Sequence, residues 1–408
     1  MKPSALILVL NQFTHDSRVL REVNTLADNG WEVNVFALHE ADLPLKEVRS
    51  ACRLRRFRLW TRPWPKLSVI QAIKYLECIL RMTVVGLRLR ATVVHANDLN
   101  TLPIGFLISY LTGAKLIYDA HELWSDPNKL HKLPPWMSKV GCQTETWLAQ
   151  RADAILTVSG SIARHMSENM RIPPPAVIRN IPGLAANQQT GKPVSSLRGR
   201  ACLPPEMPVI LHLGLLTPGR GLETLLLAMQ RVKSAVVVFL GDGPSLPLLK
   251  IRAQALGLLD RAVFLPPVPP EQVSHFAREA TLGVALIEAG CLSYQYCLPN
   301  KLFEYIQAGL PVVVSNLPEM AALVKLYDIG ATFTAGDPDE LAIVLNKILC
   351  SPESLAHYRR KVTEAADELN WEKEHLKLLA VYSRLGPPQL HRVTGLESIG
   401  GVAVPKVK

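Results

Sequence analysis

The chain has 408 residues, 48% hydrophobic and 20% charged, with 45 Lys+Arg against 35 Asp+Glu for a formal net charge of +10. This composition excludes a disordered or low-complexity chain, and the length suits two domains of about 150–200 residues each. Charge interrupts every apolar stretch before it reaches the ~18–20 residues of a membrane span.

Met1-Lys2-Pro3 before Ala5–Leu10 has the outline of a signal peptide, but the apolar run is short and Asn11-Gln12-Phe13 is no small-residue cleavage site. The segment reads instead as a buried first strand. A helix follows at Ser17–Asn29 and ends at Gly30, a C-cap, before an alternating strand at Glu32–Leu38. Between Arg53 and Arg90 lie ten Lys/Arg and one acid, Glu77, so this segment alone carries +9. Trp60, Trp64 and the helically spaced Val69, Ile73, Leu76, Leu80, Val84 and Leu87 accompany that charge. Two readings stand side by side: a helix at an anionic lipid interface, or a helix whose apolar stripe packs on its own sheet while its arginines stay solvated. Strands are expected at Thr92–His95, Lys115–Asp119 and Ala154–Ser159, and helices at Leu102–Leu111, Trp136–Arg151 and Ser161–Asn169.

Periodicity breaks over 183–205, rich in Gly, Pro, Ser, Asn and Gln, which reads as a linker. A second series then begins, with strands at Val209–Leu213, Ala235–Leu240, Val263–Leu265, Leu282–Ile287 and Pro311–Ser315. Its helices are expected at Gly221–Val232, Ser245–Ala255, Pro270–Ala280 and Lys301–Gln307, closed by Asp337–Leu349 and Pro352–Glu368. Strands alternating with helices imply α/β architecture with parallel sheets. The expected organisation is an N-terminal domain at 1–182, a linker at 183–205, a second domain at 206–371, a helix at about 372–386 and a disordered tail at 387–408.

In open α/β sheets, ligands bind beyond the carboxyl ends of the strands, so the loops there are the informative ones. At Pro299-Asn300-Lys301-Leu302 a helix begins whose free N–H groups and dipole suit a diphosphate; Lys301 adds a cation, and Glu304 sits one turn in, where it can accept from ribose hydroxyls. An ordinary helix with a favourable N-terminal acid has the same appearance. Gly214-Leu215-Leu216-Thr217-Pro218-Gly219-Arg220 allows close backbone approach and offers a guanidinium fork. Gly241-Asp242-Gly243-Pro244 can line a base or serve as a plain turn. In the N-terminal half, Tyr118-Asp119-Ala120-His121-Glu122 ends a buried strand, and Asn97-Asp98 ends another. His15, Asp16 and Arg18 follow the first strand, where Asp16 can equally be the N-cap of the next helix. Asp337-Pro338-Asp339 looks like helix capping rather than a metal site. The seven scattered cysteines contain no C-x-x-C pair, which argues against a disulfide framework or zinc site and fits a reducing cytosol.

These motifs, in this order, resemble the bacterial family-4 retaining glycosyltransferases of the GT-B fold over nearly the whole chain. Asn300–Ser315 is similar to the family's donor signature, a Glu-x7-Glu motif running into Ala-Gly-x-Pro-Val, and Gly214–Leu222 to its diphosphate loop. Asp16-Ser17-Arg18 with Glu22, Tyr118–Glu122, Arg179–Pro182 and Asn370-Trp371-Glu372 also match. The chain departs from the pattern where Tyr296 replaces the first Glu and Leu215 the diphosphate-loop Arg. The resemblance implies two Rossmann-like domains facing across a cleft, with the last helix returning to the first. It implies donor contacts from Gly214, Gly219, Arg220, Gly241, Asn300, Lys301, Leu302 and Glu304, catalytic roles for His121, Glu122 and Asp16, and acceptor contacts from Asp98, His15 and Arg18. The implied activity is metal-independent, retaining transfer of a hexosyl or related group from a nucleotide-sugar to a hydroxyl of a carbohydrate or lipid-linked acceptor. Its setting would be cell-surface polysaccharide or glycolipid biosynthesis in the cytoplasm, at the inner membrane face, with no cofactor and no nucleic acid. Alternatives are a catalytically silent nucleotide-sugar-binding subunit and a sugar-nucleotide epimerase on the same scaffold.

Overall fold

The computed structural model describes residues 2–14, 16–40, 42–124, 135–184 and 196–386. His15, the 185–195 part of the expected linker and the expected tail at 387–408 lie outside the described residues. The first half runs β1 (Ser4–Leu8), α1 (Ser17–Asp28), β2 (Glu32–Leu38), β3 (Lys46–Val48), β4 (Arg53–Phe57), α2 (Ser68–Leu89), β5 (Val93–Asn97) and α3 (Leu102–Thr112). It continues β6 (Lys115–Ala120), α4 (Pro135–Ala149), β7 (Ala154–Thr157), α5 (Gly160–Met170) and β8 (Ala176–Val177). The second half runs α6 (Leu197–Arg200), β9 (Val209–Leu213), α7 (Leu222–Met229), β10 (Val236–Leu240), α8 (Leu246–Ala255), β11 (Ala262–Leu265) and α9 (Pro270–Arg278). Then come β12 (Leu282–Ala285), α10 (Leu292–Gln295), α11 (Asn300–Gln307), β13 (Val312–Ser315), α12 (Pro318–Tyr327), β14 (Gly330–Phe333), α13 (Pro338–Leu349), α14 (Pro352–Glu368) and α15 (Trp371–Leu385).

The strands form two sheets, ordered β3-β4-β2-β1-β5-β6-β7-β8 and β11-β10-β9-β12-β13-β14. Every pairing is parallel except the β3–β4 edge, which is antiparallel. Helices cover both faces of a parallel sheet, so its central strands are apolar apart from His212: Ala5–Leu8, Val209–Leu213 and Val236–Leu240 are fully buried. The strand order reverses beside β1 in one sheet and beside β9 in the other. Each reversal opens a crevice at the strands' carboxyl ends.

Two glycines show how closely the loops above the second sheet pack. A Cβ on Gly241 would lie 1.9 Å from the Gly214 carbonyl oxygen, and Gly221 holds φ of 62° with Leu286 against it. The helix α15 runs back beneath the first sheet. There Trp371 donates from Nε1 to Thr25 Oγ1 at 3.0 Å, Tyr382 packs edge-on against Trp31 at 5.0 Å, and the Tyr382 hydroxyl meets His95 Nδ1 at 2.8 Å.

The structure adds β3, β4, β8, β14, α10 and α12 to the elements expected from the sequence. In β4, Arg53-Leu54-Arg55-Arg56-Phe57 alternates exposed arginines with buried positions, a pattern concealed by its charge. Part of the expected linker is ordered as α6, where Leu197 is buried in the second core.

Candidate active site

One cavity of about 560 Å³ lies between the two sheets. It brings together Asp16, Arg18, His121 and Glu122 from the first half with Gly214, Arg220, Asn300, Lys301 and Glu304 from the second. On the second side, the loop after β9 turns through Gly214 (φ 98°) and Gly219 (φ 83°) and presents Arg220, which stacks over the Tyr294 ring at 5.3 Å. Arg220 has no carboxylate partner among the described residues. Lys301 stands in the first turn of α11 with its ammonium 3.1 Å from His212 Nε2. Burial and the nearby Arg220 charge lower its pKa to about 7. One turn on, burial raises the pKa of Glu304, whose carboxylate makes no hydrogen bond among the described residues. Two cations with little counter-charge, at a helix N-terminus, can receive a diphosphate.

On the first side, Arg18 is buried and spends its donors on Asp119 Oδ1 and Oδ2, at 2.9 and 2.7 Å, and on the Ile178 carbonyl at 2.7 Å. The expected role of Arg18 toward acceptor is therefore corrected: it edges the cavity, but its guanidinium is committed to the core. Asp119 also meets His121 Nε2 at 3.2 Å, while Asp98 Oδ2 lies 3.7 Å from His121 Nδ1. Burial alone would lower the His121 pKa; Asp119 outweighs it, and the imidazole rises to about 9. His121 thus enters the cavity as a cation and hydrogen-bond donor. Asp98 lies beneath it, accepting the His121 backbone N–H at 3.2 Å, and does not line the cavity. Asp16 lines the cavity yet caps α1, accepting from Val19 N at 3.2 Å and from Asn11 Nδ2 at 2.7 Å.

Three expected donor contacts lie outside the cavity wall. Leu302 is in the core, with its N–H donating to Pro299 O at 2.9 Å; Gly219 packs on Tyr294; Gly241 supports the Gly214 turn from behind. The sequence reading had not singled out Ser293, Tyr294 or Cys297, which do line the wall. The two halves touch where Asn180 Nδ2 donates to Asn300 Oδ1 at 3.0 Å and Ser159 Oγ donates to the Tyr296 carbonyl at 2.7 Å. Asn180 in turn accepts from Arg21 on α1.

Comparison with known proteins gives the family and the fold. Residues 15–182 match the family model described as "Glycosyl transferase 4-like domain", and residues 197–368 match "Glycosyl transferases group 1". A D-inositol 3-phosphate glycosyltransferase of Thermobispora bispora is 24% identical over 388 residues, covering 90% of this chain and 88% of that protein. Among solved structures, sucrose-phosphate synthase from Thermosynechococcus elongatus superposes with a TM-score of 0.79 at 18% identity, over 94% of this chain and 99% of that one. HepE of Anabaena, in complex with UDP and glucose, gives 0.71 at 16% identity, over 94% of this chain and all (100%) of that one. This chain belongs to the family-4, group 1 glycosyltransferases.

Its fold is GT-B, two Rossmann-like α/β units with facing parallel sheets, and neither the silent-subunit nor the epimerase reading is favoured. In this glycosyltransferase Tyr296, standing where the family has its first Glu, turns away from the cavity. Its ring lies 6.1 Å from His165 and packs on the core of the first half. Asp337 caps α13 by accepting from Asp339 N and Glu340 N, and Asp339 pairs with Arg231. Glu22, His95 and Asp119 come close enough to share a cation, but the Arg18 guanidinium already occupies the space between the two carboxylates.

The helix α2 presents the apolar stripe outward. Val69, Leu76 and Leu80 are 73%, 54% and 57% exposed and Trp60 78%, whereas Cys78 and Met82 pack in the core with the sheet and Gly86 lies against Ile108 of α3. Glu77, the segment's one acid, is consumed internally: it accepts from Trp60 N, Thr61 N and Thr61 Oγ1 and pairs with Arg81. Arg81 in turn stacks over Trp60 at 4.4 Å. Arg56 is buried against Glu47, and Arg53 and Arg62 pair with Glu32 and Glu40. Arg55 and Arg81 rim a groove of about 280 Å³ that also contains Leu80 and Val84. No helix among the described residues is long and apolar enough to cross a membrane.

The raised pKa of His121 has a consequence for stability. Its protonation contributes fully below the unfolded value of about 6.5 and is lost as pH rises through about 9. Lys301, whose folded pKa is lowered, acts in the opposite sense and is common to both proteins compared. The difference in urea midpoint between wild type and His121→Asn should therefore shrink across this window. A difference constant with pH would contradict the Asp119–His121 pairing.

Proposed function

We propose that this glycosyltransferase moves a sugar from a nucleotide-sugar to a hydroxyl of a carbohydrate or lipid-linked acceptor, with retention of anomeric configuration and without a metal ion. In this reading 206–371 receives the donor, and 1–182 with 372–386 receives the acceptor. The observation that carries it is the convergence of Arg220, Lys301 and Glu304 at one end of α11 with His121 across the same cavity. Arg220 and Lys301 bind the diphosphate, and Glu304 accepts from ribose hydroxyls. The His121 imidazolium donates to a sugar hydroxyl beside the reacting carbon. As the glycosidic bond to the diphosphate breaks, negative charge grows on the leaving oxygen, and the same two cations stabilise it without reorganising. The acceptor oxygen forms the new bond on the face the diphosphate leaves, and its proton passes to the departing phosphate. The use of Asp337 and Asp339 in capping and ion pairing supports a metal-independent reaction, as the UDP and glucose held by HepE support the donor class.

The lipid-facing reading of α2 belongs to the same proposal. Its outward apolar stripe, the exposed Trp60 and Trp64, and the cations Arg55, Arg58, Lys66 and Arg88 suit an anionic bilayer. The Tyr75 hydroxyl on this helix donates to the Asn100 carbonyl at 2.8 Å, in the loop after β5. The stripe therefore begins near the carboxyl edge of the first sheet, where an acceptor at the inner membrane face would reach the cleft. This setting fits cell-surface polysaccharide or glycolipid synthesis.

Glu304→Ala should weaken nucleotide-sugar binding, measured by calorimetry, by about 1.5–3 kcal/mol, the worth of hydrogen bonds to a charged group. Unchanged affinity would remove Glu304 from the donor site. Leu76→Glu with Leu80→Glu, both at exposed positions, should abolish co-sedimentation with phosphatidylglycerol vesicles while sparing the fold. Equal binding by wild type and variant, or none by wild type, would return α2 to a solvated surface.

A further inference from the structure

His212 is a buried histidine in an otherwise aliphatic strand, and the transfer reaction described above makes no use of it. It lies in β9, two residues before Gly214, with no exposed surface, and its ring is 5.7 Å from that of Phe239. Its Nε2 is 3.1 Å from Lys301 Nζ, and its Nδ1 has no hydrogen-bond partner among the described residues. Lys301 has no carboxylate at ion-pair distance among the described residues. The charged and titratable groups around it are Arg220 from the loop after β9, Glu304 from its own helix and Cys297 from the segment before α11. Arg21 on α1 acts on Glu304 from the other side. Burial and the Lys301 charge keep His212 well below the usual histidine range, so it stays neutral.

A neutral imidazole can keep this contact whichever charge the lysine carries. Toward an ammonium, Nε2 accepts and the ring proton sits on Nδ1. Toward an amine, Nε2–H donates to the Nζ lone pair. The lysine is thus held at the diphosphate end of the cavity before any anion arrives, and an anion that arrives alters its charge rather than its place.

We infer that His212 is a positioning residue that holds Lys301 in either charge state, so that binding of the donor diphosphate charges the lysine by taking up a proton from solvent. The inference rests on the donor-site reading above. It gives the donor affinity a characteristic pH profile: level below about 7, where Lys301 is already an ammonium, and falling about tenfold per pH unit above that. Lys301→Arg, permanently charged, should remove this slope in the interval before His121 begins to lose its own proton.

The test is a carbon-13 NMR titration of the full chain with lysines labelled at Cε, Lys301 being assigned by its absence in Lys301→Arg. The expected midpoint is near 7 in the free protein, moving upward on addition of whichever of UDP-glucose, GDP-mannose or ADP-glucose binds. His212→Leu should depress the midpoint further and weaken the donor roughly 3–10-fold, the loss of one hydrogen bond that orients a charge. His212→Gln, whose amide oxygen can accept from the ammonium, should restore most of that affinity. A Lys301 midpoint in the ordinary range of about 10.4 would overturn the inference, as would a His212→Leu protein with unaltered titration and donor affinity. If no nucleotide-sugar binds, the donor reading fails, while the titration of the free protein and its response to His212→Leu still decide the Lys301–His212 pair.

Discussion

Everything on the acceptor side of the cleft hangs on the buried pair between Arg18 and Asp119. Taking a guanidinium and a carboxylate out of water is tolerable only when each satisfies the other and the remaining donors find acceptors. Here the bidentate contact and the Ile178 carbonyl meet that condition. The pair ties the start of α1 to the end of β6 and to the chain just after β8. Asp119 is shared: the oxygen that meets Arg18 also meets His121, so one carboxylate both neutralises the core cation and keeps the cavity imidazole charged. Beneath them, Tyr382 brings α15 against His95, so the last helix of the chain closes the underside of the cluster.

The donor side is built on the opposite principle. Arg220 and Lys301 act on each other's charge, with Glu304 the acid that acts on Lys301 and no carboxylate at ion-pair distance among the described residues. Their mutual repulsion and burial are a cost the free protein bears, and an incoming diphosphate relieves it. With donor bound, a site whose cationic groups are held in place beforehand needs no reorganisation when negative charge develops on the leaving group, which is where electrostatic catalysis gains most. Close backbone packing fixes the geometry, since Gly241 lies so near the Gly214 carbonyl that no side chain fits between them.

Much of this was legible in the sequence, for physical reasons. Parallel strands buried on both faces leave apolar runs, so Val209–Leu213 could be bounded to the residue, and alternation bounded Glu32–Leu38 as closely. Loops at the carboxyl ends of those strands concentrate polar residues with no core role, which pointed to His121, Arg220, Lys301 and Glu304. What the sequence concealed was direction. Arg18 reads as a substrate contact after the first strand, and only the fold turns it inward onto Asp119. Leu302 neighbours the cavity in sequence but points into the core. Tyr296 occupies a family carboxylate position and yet packs on the other half of the molecule. His212 gave one signal that went unread, a lone histidine among aliphatic strand residues. Periodicity placed the α2 stripe on one helix face without indicating whether that face was covered, and the structure leaves it outside.

The most direct measurement of the central claim is the anomeric configuration of the product, read by proton NMR after incubation with an α-linked nucleotide-sugar and an acceptor from a panel of hydroxylated glycosides and lipid-linked glycans. The account predicts a new α-glycosidic bond with release of the nucleoside diphosphate, in the presence of a chelator. A β-linked product, or an epimerised nucleotide-sugar with no transfer, would contradict it.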